Sequence, residues 1–262
     1  MDSTASARSV LLKLGGTAGS NDAALRALAG ELADAGMHAA IVHGGGKEVS
    51  ELSRRLGLEP VFHEGIRMTT EAEMDVVEMI LSGIANKRLV RRLLAAGLRA
   101  IGISGADAGT IRGERVPDAS GNRSRTARVE SAEPRLIHDL WAHGYVPVIS
   151  SPASDAAGEA VNINADDVAF ALAGALHVDS LVFLSDVPGV MIDGRNVGSL
   201  NPAMAEAGIR AGQISGGMIP KVRNALTAIE RGVSQVVIGD YVRSGDLAAL
   251  LHGERGTTIV SG

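Results

Sequence analysis

The 262-residue chain contains no cysteine, which excludes disulfide bonds, thiolate nucleophiles and zinc sites with cysteine ligands. A chain without cysteine fits a reducing compartment, so we predict a cytoplasmic location. Aromatic residues are scarce too: 3 Phe, 2 Tyr and 1 Trp offer almost no surface on which nucleic-acid bases could stack. Because the net charge is −5, there is no general basic surface for a phosphate backbone, and we expect no nucleic-acid partner.

Long apolar runs are missing as well. No stretch approaches the roughly 20 apolar residues that a membrane-spanning helix needs, so we expect no membrane partner. Residues 1–9 are small and polar, without the apolar segment or cleavage pattern of a secretory signal. By contrast, apolar residues make up 45% of the chain, which is enough to build one large core or two modest ones.

Short runs of β-branched and aliphatic residues alternate with helical patterns. The runs cover residues 10–14, 39–43, 100–104, 146–150, 181–184, 236–238 and 258–260. This alternation predicts an α/β fold with a largely parallel sheet and crossover helices. The runs are almost continuously apolar, which indicates helices on both faces of the sheet. We find no linker and no repeat, so any division into lobes lies within one continuous sheet.

Thr70 and Glu73 form a capping-box pattern, in which each side chain is expected to bind the other residue's free amide. A long helix should follow, with one buried face. That face is predicted to contain Met74, Val77, Leu81 and Ile84. A basic cluster further along is interpreted as a solvated helix end, and it comprises Lys87, Arg88, Arg91 and Arg92.

Residues 112–128 are charged and rich in turn formers, with a loop tip expected at 118–122, and they predict a protruding hairpin. Its arginines are most simply a solvated face, but they could instead guide an anionic substrate or an acidic partner. They are Arg112, Arg115, Arg123, Arg125 and Arg128.

Three glycine-bearing turns follow predicted strands, where open α/β sheets bind ligands. They are Lys13-Leu14-Gly15-Gly16, His43-Gly44-Gly45-Gly46 and Ser185-Asp186-Val187-Pro188-Gly189. Glycines let a backbone approach phosphate or carboxylate closely, although each turn alone could be an ordinary tight connection. The chain has no phosphate-binding G-x-x-x-x-G-K-[ST] loop, no G-x-G-x-x-G dinucleotide motif and no G-x-S-x-G nucleophile elbow.

Two lysines occupy positions that suit an anion. Lys13 ends a buried strand before two glycines, and Lys221 follows Gly216-Gly217-Met218-Ile219-Pro220 at a predicted helix start. Each could be an ordinary exposed cation, but a lysine attached to a buried strand is costly unless it finds an anion. Asp166 opens the next helix. It could cap that helix, hold the two lysines, or position the metal that accompanies ATP.

At this point the sequence resembles the amino acid kinase family over nearly its whole length, and within it the members that phosphorylate N-acetylglutamate. The resemblance rests on an ordered set of motifs. These are Lys13-Leu14-Gly15-Gly16, His43-Gly44-Gly45-Gly46, Gly65-Ile66-Arg67-Met68-Thr69, Asn86-Lys87, Asn162-Ile163-Asn164-Ala165-Asp166, Ser185-Asp186-Val187 and Gly216-Gly217-Met218-Ile219-Pro220-Lys221. The resemblance implies a three-layer αβα sandwich with two lobes. Residues 1–170 would bind the acyl amino acid and form the dimer, and residues 171–262 would bind ATP.

The resemblance also implies roles for individual residues. Lys13 and Lys221 would stabilise the transferring phosphoryl group, and Asp166 would orient both lysines. The predicted substrate-binding residues are Gly45, Gly46, Arg67 and Asn162. The predicted nucleotide-binding residues are Gly15, Gly16, Asp186, Val187, Gly189, Val190, Met191, Gln213, Ile214 and Ser215. We expect no metal site built by the protein itself, with Mg²⁺ bound mainly through the phosphates of ATP.

The implied reaction is phosphorylation of the side-chain carboxylate of N-acetyl-L-glutamate in arginine biosynthesis. The segment before the first strand is about nine residues long, so the helix that arginine-sensitive relatives use to form hexamers looks absent, and we expect an arginine-insensitive homodimer. Two alternatives remain open. One is a kinase for aminoadipate or glutamate linked to an acidic carrier protein in lysine biosynthesis, and the other is a non-catalytic sensor with the same fold.

Overall fold

The computed structural model describes residues 8–15, 21–63, 65–117, 121 and 123–261. The strands in this part of the chain are β1 (Ser9–Leu14), β2 (His38–His43), β3 (Phe62–His63), β4 (Ile66–Arg67), β5 (Ala100–Ser104), β6 (Ile111–Arg115), β7 (Thr126–Ala132), β8 (Val146–Ser150), β9 (Ala153–Ser154), β10 (Ala160–Ile163), β11 (Ser180–Leu184), β12 (Met191–Ile192), β13 (Arg195–Asn196), β14 (Ser199–Leu200), β15 (Gln235–Gly239) and β16 (Thr257–Ile259). The α-helices are α1 (Asp22–Ala35), α2 (Gly46–Arg55), α3 (Glu71–Glu78), α4 (Asn86–Ala95), α5 (Arg135–Ala142), α6 (Ala165–Leu176), α7 (Pro202–Arg210), α8 (Met218–Glu230) and α9 (Asp246–Leu251). A π-helix, Met79–Ala85, joins α3 to α4.

An eight-stranded sheet runs through the molecule in the order β14-β16-β15-β11-β1-β2-β8-β5. Its pairs are parallel except β15 with β16, which are antiparallel. All the runs predicted as strands belong to this sheet, so the predicted α/β class with a mostly parallel sheet is confirmed. The predicted lobe boundary at residue 170 falls inside α6, and the division into lobes stays a prediction.

Apolar side chains alternate between the two faces of β1. Val10 and Leu12 join a cluster with residues of α1, α4 and α9, whereas Leu11 joins a cluster with residues of α5, α6 and α8. Helices therefore cover both faces, which confirms the three-layer αβα arrangement. Because side chains alternate along a strand, Lys13 shares the face of Leu11 and points towards the layer that contains α6 and α8.

The predicted hairpin is formed by β6 and β7, which pair antiparallel. The outer part of its loop tip, residues 118–120 and 122, lies outside the described residues. The hairpin closes with β9 and β10 into a small four-stranded barrel. The interpretation of its arginines as one solvated face is wrong for two of them, because Arg115 pairs with Asp155, and Arg125 pairs with Glu71 and Glu159.

The capping box at the start of α3 is half confirmed. Thr70 is the N-cap, and its hydroxyl accepts a hydrogen bond of 3.2 Å from the Glu73 amide. The reciprocal bond predicted for Glu73 is wrong. Its carboxylate instead pairs with the Arg67 guanidinium at 2.7 Å, because a buried carboxylate is stabilised more by a charged donor than by one amide.

The π-helix corrects the predicted buried face of the long helix. Ile84 is 52% exposed, whereas Leu81 is buried. A π-turn contains more residues than an α-turn, so it rotates the following side chains away from their α-helical positions. The basic cluster after the π-helix is not only solvated as predicted, because Arg88 forms an ion pair with Glu48.

Across the described ranges, no helix is both long and apolar enough to cross a membrane.

Candidate active site

The candidate site lies at the carboxyl end of β1, where the order of strands along the chain reverses. β1 pairs with β2 on one side and with β11 on the other. Open α/β sheets bind ligands at such a switch point, because the connections on the two sides diverge and leave a crevice. The glycine turns after β1, β2 and β11 all open into this region.

Lys13, Asp166 and Lys221 meet at this crevice, although they are far apart in the sequence. The Lys13 Nζ lies 2.8 Å from one carboxylate oxygen of Asp166, and the Lys221 Nζ lies 3.3 Å from the other. All three side chains are mostly buried, with exposures of 15 to 19%. The sequence left several roles open for Asp166, and the structure places its carboxylate between the two lysines.

The helices that carry this group add positive potential. Asp166 lies in the first turn of α6, where the side chain of Asn164 caps the helix, and Lys221 lies near the start of α8. A helix start has a partial positive charge, so a lysine there is unfavourable without a nearby anion. Two ammonium groups and two helix starts thus surround one carboxylate, and the site has the electrostatic character of an anion site.

The charge state of Asp166 follows from its partners. Burial raises the pKa of its carboxyl, but Lys13 and Lys221 oppose this, and together they hold the pKa below the ordinary value. The neighbouring Asp167 behaves differently. Burial and the charge of Asp166 raise the pKa of Asp167, whose carboxylate accepts a hydrogen bond from Asn224. The surroundings therefore favour the ionised form of Asp166 and disfavour that of Asp167.

A first cavity of about 260 Å³ opens beside Lys13. Every residue predicted to bind substrate lines it, namely Gly45, Gly46, Arg67 and Asn162. Apolar side chains of Val49, Val77 and Leu81 complete part of the wall. The cavity thus combines a cation, glycine backbone and a small apolar surface.

Arg67 enters this cavity as a fixed group. Its guanidinium donates to Glu73, to the Gly46 carbonyl at 2.9 Å and to the Ser50 hydroxyl at 2.6 Å. It also stacks on the Phe62 ring, 4.8 Å from the ring centre. Three of the five guanidinium donors are used in these bonds, so the side chain is held in one orientation before any ligand arrives.

Asn162 and the glycines occupy other walls of the first cavity. The Asn162 side-chain amide donates to the Thr69 hydroxyl at 2.8 Å. Gly45 is the N-cap of α2, and no side chain of the described residues caps that helix. The first amides of an uncapped helix are donors that suit an anion, so α2 presents them at the cavity wall.

A second cavity of about 610 Å³ shares Lys13 and the glycine loop with the first. The predicted nucleotide-binding residues Gly15 and Asp186 line it. The Gly15 amide donates to the Leu184 carbonyl at 2.8 Å, which ties the ends of β1 and β11 together. Gly16, also predicted to bind nucleotide, lies outside the described residues.

The other predicted nucleotide-binding residues lie beyond β11 and before α8. The Gln213 side chain donates to Asp193, which follows β12, and this contact brings the two segments together. Val187 and Met191 are each 38% exposed, and Gln213 and Ser215 are also at the surface. In contrast, the side chains of Val190 and Ile214 are in the core.

Gly189 has no room for a side chain, because a Cβ atom there would lie 2.1 Å from Asn196 Oδ1. Its place in the chain is therefore set by packing as well as by any ligand. The roles assigned to the segments after β11 and before α8 stay predictions.

Sequence reasoning missed two groups that support the site. Phe183 lies beside Lys13 in the β1–β11 register, and its ring is 5.2 Å from the Lys221 Nζ. A cation over an aromatic face is stabilised, so this ring helps to fix Lys221. Glu73 is the second group. The rarity of phenylalanine could have drawn attention to Phe183. The ion pair of Glu73 with Arg67 was not predicted, because Glu73 fits a capping-box pattern that already assigns it a role.

The sequence matches the model of the amino acid kinase family over residues 8–240. An acetylglutamate kinase from Chloroflexus aurantiacus is 48% identical over 199 residues, which cover 76% of this chain and 78% of that protein. An acetylglutamate kinase from Rubrobacter xylanophilus is 40% identical over 252 residues, covering 96% of this chain and 97% of that protein. A crystal structure of a Streptococcus mutans protein has a TM-score of 0.83 at 26% identity, covering 96% of this chain and 98% of that one.

Proposed function

The chain belongs to the amino acid kinase family, and we propose that it transfers the γ-phosphate of ATP to the side-chain carboxylate of N-acetyl-L-glutamate. The product is N-acetyl-L-glutamyl 5-phosphate, an intermediate of arginine biosynthesis. The observation that carries the proposal is the Lys13-Asp166-Lys221 group beside a cavity lined by Gly45, Gly46, Arg67 and Asn162.

The first cavity supports binding of an acylated acidic amino acid. Arg67 carries a fixed positive charge, which suits the α-carboxylate of the substrate. Asn162 offers an amide for the acylamino group, and the apolar wall suits its methyl group. With these ends held, the side-chain carboxylate is directed towards Lys13 and the glycine loop.

The transfer itself needs little covalent assistance. The acceptor carboxylate is already ionised near neutral pH, so no general base is required. One of its oxygens attacks the γ-phosphorus of ATP, the bond from that phosphorus to the β,γ-bridging oxygen breaks, and ADP leaves with the bonding electrons. Negative charge spreads over the transferring oxygens, and Lys13 and Lys221 stabilise it from positions that Asp166 holds.

The donor side is proposed to run from Gly15 and Asp186 along the segments that contain Met191 and Gln213. When bound together with ATP, Mg²⁺ would neutralise part of the charge on the nucleotide phosphates. Within the described part of the chain, no group of three His, Asp or Glu side chains is placed to hold a metal ion. Both oxygens of Asp166 also face lysines. We propose that Mg²⁺ is bound mainly through the phosphates of ATP.

A coupled assay of ADP release tests this function. With N-acetyl-L-glutamate, ATP and Mg²⁺, we expect turnover and an acyl phosphate that hydroxylamine converts to a hydroxamate. Carrier-linked aminoadipate is the competing substrate, and its case is weakened because Arg115 and Arg125 are already paired with carboxylates of this chain. Turnover of the carrier-linked substrate alone would overturn the proposal, and turnover of neither would favour a sensor.

Two further features remain proposals. We propose a homodimer, which sedimentation at micromolar concentration would test. We also propose that the enzyme works in the cytoplasm, which is consistent with the absence of cysteine and with a pathway that uses ATP.

A further inference from the structure

The glycine loop of residues 43–46 is supported from behind by a buried polar network. Asn86 is fully buried, and its side-chain nitrogen lies 2.8 Å from the Val148 carbonyl and 3.1 Å from the His43 Nε2. The other ring nitrogen of His43, Nδ1, lies 2.9 Å from the Gly44 carbonyl oxygen. A chain of polar contacts thus runs from the helix α4 to the loop at the active site.

Hydrogen-bond chemistry fixes the direction of each contact. The Val148 carbonyl can only accept, so the Asn86 amide nitrogen must face it at 2.8 Å. The second amide proton is directed to the His43 Nε2 at 3.1 Å, and the Ile103 carbonyl is a more distant acceptor at 3.3 Å. The Asn86 oxygen faces the opposite way and accepts from the Lys87 Nζ at 3.0 Å. Since the Gly44 carbonyl is also only an acceptor, the proton of His43 must be on Nδ1.

Close packing at two glycines constrains the network. A Cβ atom on Gly102 would lie 2.0 Å from the Asn86 Oδ1, so Asn86 needs a glycine on the neighbouring strand. The π-helix sets the position of Asn86, which is the first residue after it. The same π-helix places Leu81 against Gly45, where a Cβ would lie 2.8 Å from the leucine methyl group.

We propose that Asn86 and His43 are positioning residues for phosphoryl transfer, and that they orient the Gly44 carbonyl so that the Gly45 amide faces the transferring group. The carbonyl of Gly44 and the amide of Gly45 belong to one planar trans peptide and point in opposite directions. Holding the carbonyl through the imidazole therefore aims the amide. The inference rests on the proposed kinase function, since it assigns a task to the glycine loop of that site.

The charge state of His43 agrees with this geometry. Burial lowers the pKa of His43, and Arg88 and Lys13 lower it further, against the Gly44 carbonyl and Glu48, which raise it. The imidazole is therefore neutral near pH 7. A doubly protonated ring would bring an Nε2 proton against the Asn86 amide protons, so the network requires the neutral form.

Two substitutions of His43 separate positioning from packing. Asparagine places an amide nitrogen where Nδ1 stands and keeps the donor to Gly44, whereas glutamine fills more of the volume but places its amide near Nε2. We expect His43→Asn to stay within about threefold of the wild-type kcat, and His43→Gln to lose at least about tenfold. His252→Asn, at an exposed position after α9, is the control and should leave kcat unchanged.

Nitrogen NMR of the His43 ring provides a readout that needs no substrate. We expect a neutral His43 with the proton on Nδ1 between pH 7 and 8, and a mixture of tautomers in Asn86→Ala. A proton on Nε2, or a kcat for His43→Gln equal to or above that of His43→Asn, would overturn the inference. If the wild type does not phosphorylate N-acetylglutamate, the proposed function fails, and the tautomer still decides whether the network holds the loop.

Discussion

Lys13 and Lys221 are the residues on which the proposed chemistry depends most directly. Each faces one oxygen of Asp166, and neither forms part of an exposed charged surface. Their charges are stabilising when negative charge develops on the transferring oxygens, so their effect belongs to the transition state more than to substrate binding.

Removing either lysine should therefore lower kcat. We expect Lys13→Ala and Lys221→Ala each to reduce kcat by at least about 100-fold, which corresponds to about 2.7 kcal/mol of transition-state stabilisation. Arg223→Ala is the matched control, because Arg223 is on the same helix as Lys221 but is 56% exposed. Folded variants with wild-type kcat would show that the two ammonium groups do not act on the reaction.

Asp166 should make the free energy of unfolding depend on pH. The pKa of its carboxyl is lowered in the folded protein, so its stabilising effect is complete above the unfolded-state pKa of about 3.9 and disappears as pH falls through the folded pKa. We expect Asp166→Asn to lower the free energy of unfolding by a constant amount from pH 8 to about pH 5, and by less below about pH 4. Urea denaturation of the wild type and of Asp166→Asn at several pH values in this range measures the difference in the free energy of unfolding.

Asp34→Asn is the control for this series, because Asp34 is exposed on α1 and should change the free energy of unfolding little. A difference for Asp166→Asn that grows as the pH falls would contradict the assignment of Asp166 as the ionised partner of both lysines.

Arg67 is the residue on which substrate choice should depend. A lysine keeps the charge but cannot donate to Glu73, Gly46 and Ser50 from one rigid plane. We expect Arg67→Lys to lower kcat/KM for N-acetylglutamate by at least about 30-fold, mainly through KM. Arg54→Lys, on the exposed side of α2, should leave both constants unchanged. A loss confined to kcat would instead place Arg67 at the transferring group.

At the scale of elements, regular strands could be predicted and the irregular helix could not. β5 and β8 begin and end where the apolar runs do, because parallel strands buried on both faces leave a continuous apolar signature. Ile84 was placed wrongly because a period of 3.6 residues assumes an uninterrupted α-helix. Nothing in the sequence of Met79–Ala85 marks a π-helix, which is stabilised by tertiary contacts such as that of Leu81 with Gly45.

The candidate site also has residues that the sequence could predict and contacts that it could not. Lys13, Asp166 and Lys221 could be found because each stands at a recognisable strand end or helix start. The contact of Phe183 with Lys221 joins elements far apart in the sequence, and it depends on register and rotamer. Pairwise geometry of this kind is not encoded in local spacing.

Two glycine substitutions test how tightly the elements pack. Gly102→Ala on β5 should destabilise the protein by about 1–3 kcal/mol, because the new methyl group would overlap the Asn86 side chain. Gly30→Ala on α1 should instead stabilise it by about 0.5–1 kcal/mol, since nothing lies within 4 Å and alanine favours a helix. The midpoint temperature of thermal unfolding should fall for Gly102→Ala and rise for Gly30→Ala. Shifts of the same sign in both variants would contradict this packing.

At the scale of the whole molecule, a protein of net charge −5 must attract two anionic substrates. The overall charge opposes them, so attraction has to come from the local field of Lys13, Lys221 and Arg67, strengthened by the starts of α2, α6 and α8. Lys13 and Lys221 come from opposite halves of the chain, and they meet because α6 packs against both β1 and α8 and places Asp166 between the two lysines. The fold itself therefore creates the site.

This arrangement predicts that the two ligands protect different segments of the chain from hydrogen exchange. In hydrogen exchange, N-acetylglutamate alone should slow amide exchange at residues 65–67 and 162–163, because it would occupy the first cavity, whereas residues 44–46 line both cavities. A non-hydrolysable ATP analogue alone should slow residues 186–191 and 213–221, since a ligand that binds only the native state suppresses local opening around its site. α5 (Arg135–Ala142) is an internal control and should exchange at the same rate throughout. If both ligands protected one common set of amides, the substrates would compete for a single cavity, and direct transfer between two bound substrates would be impossible.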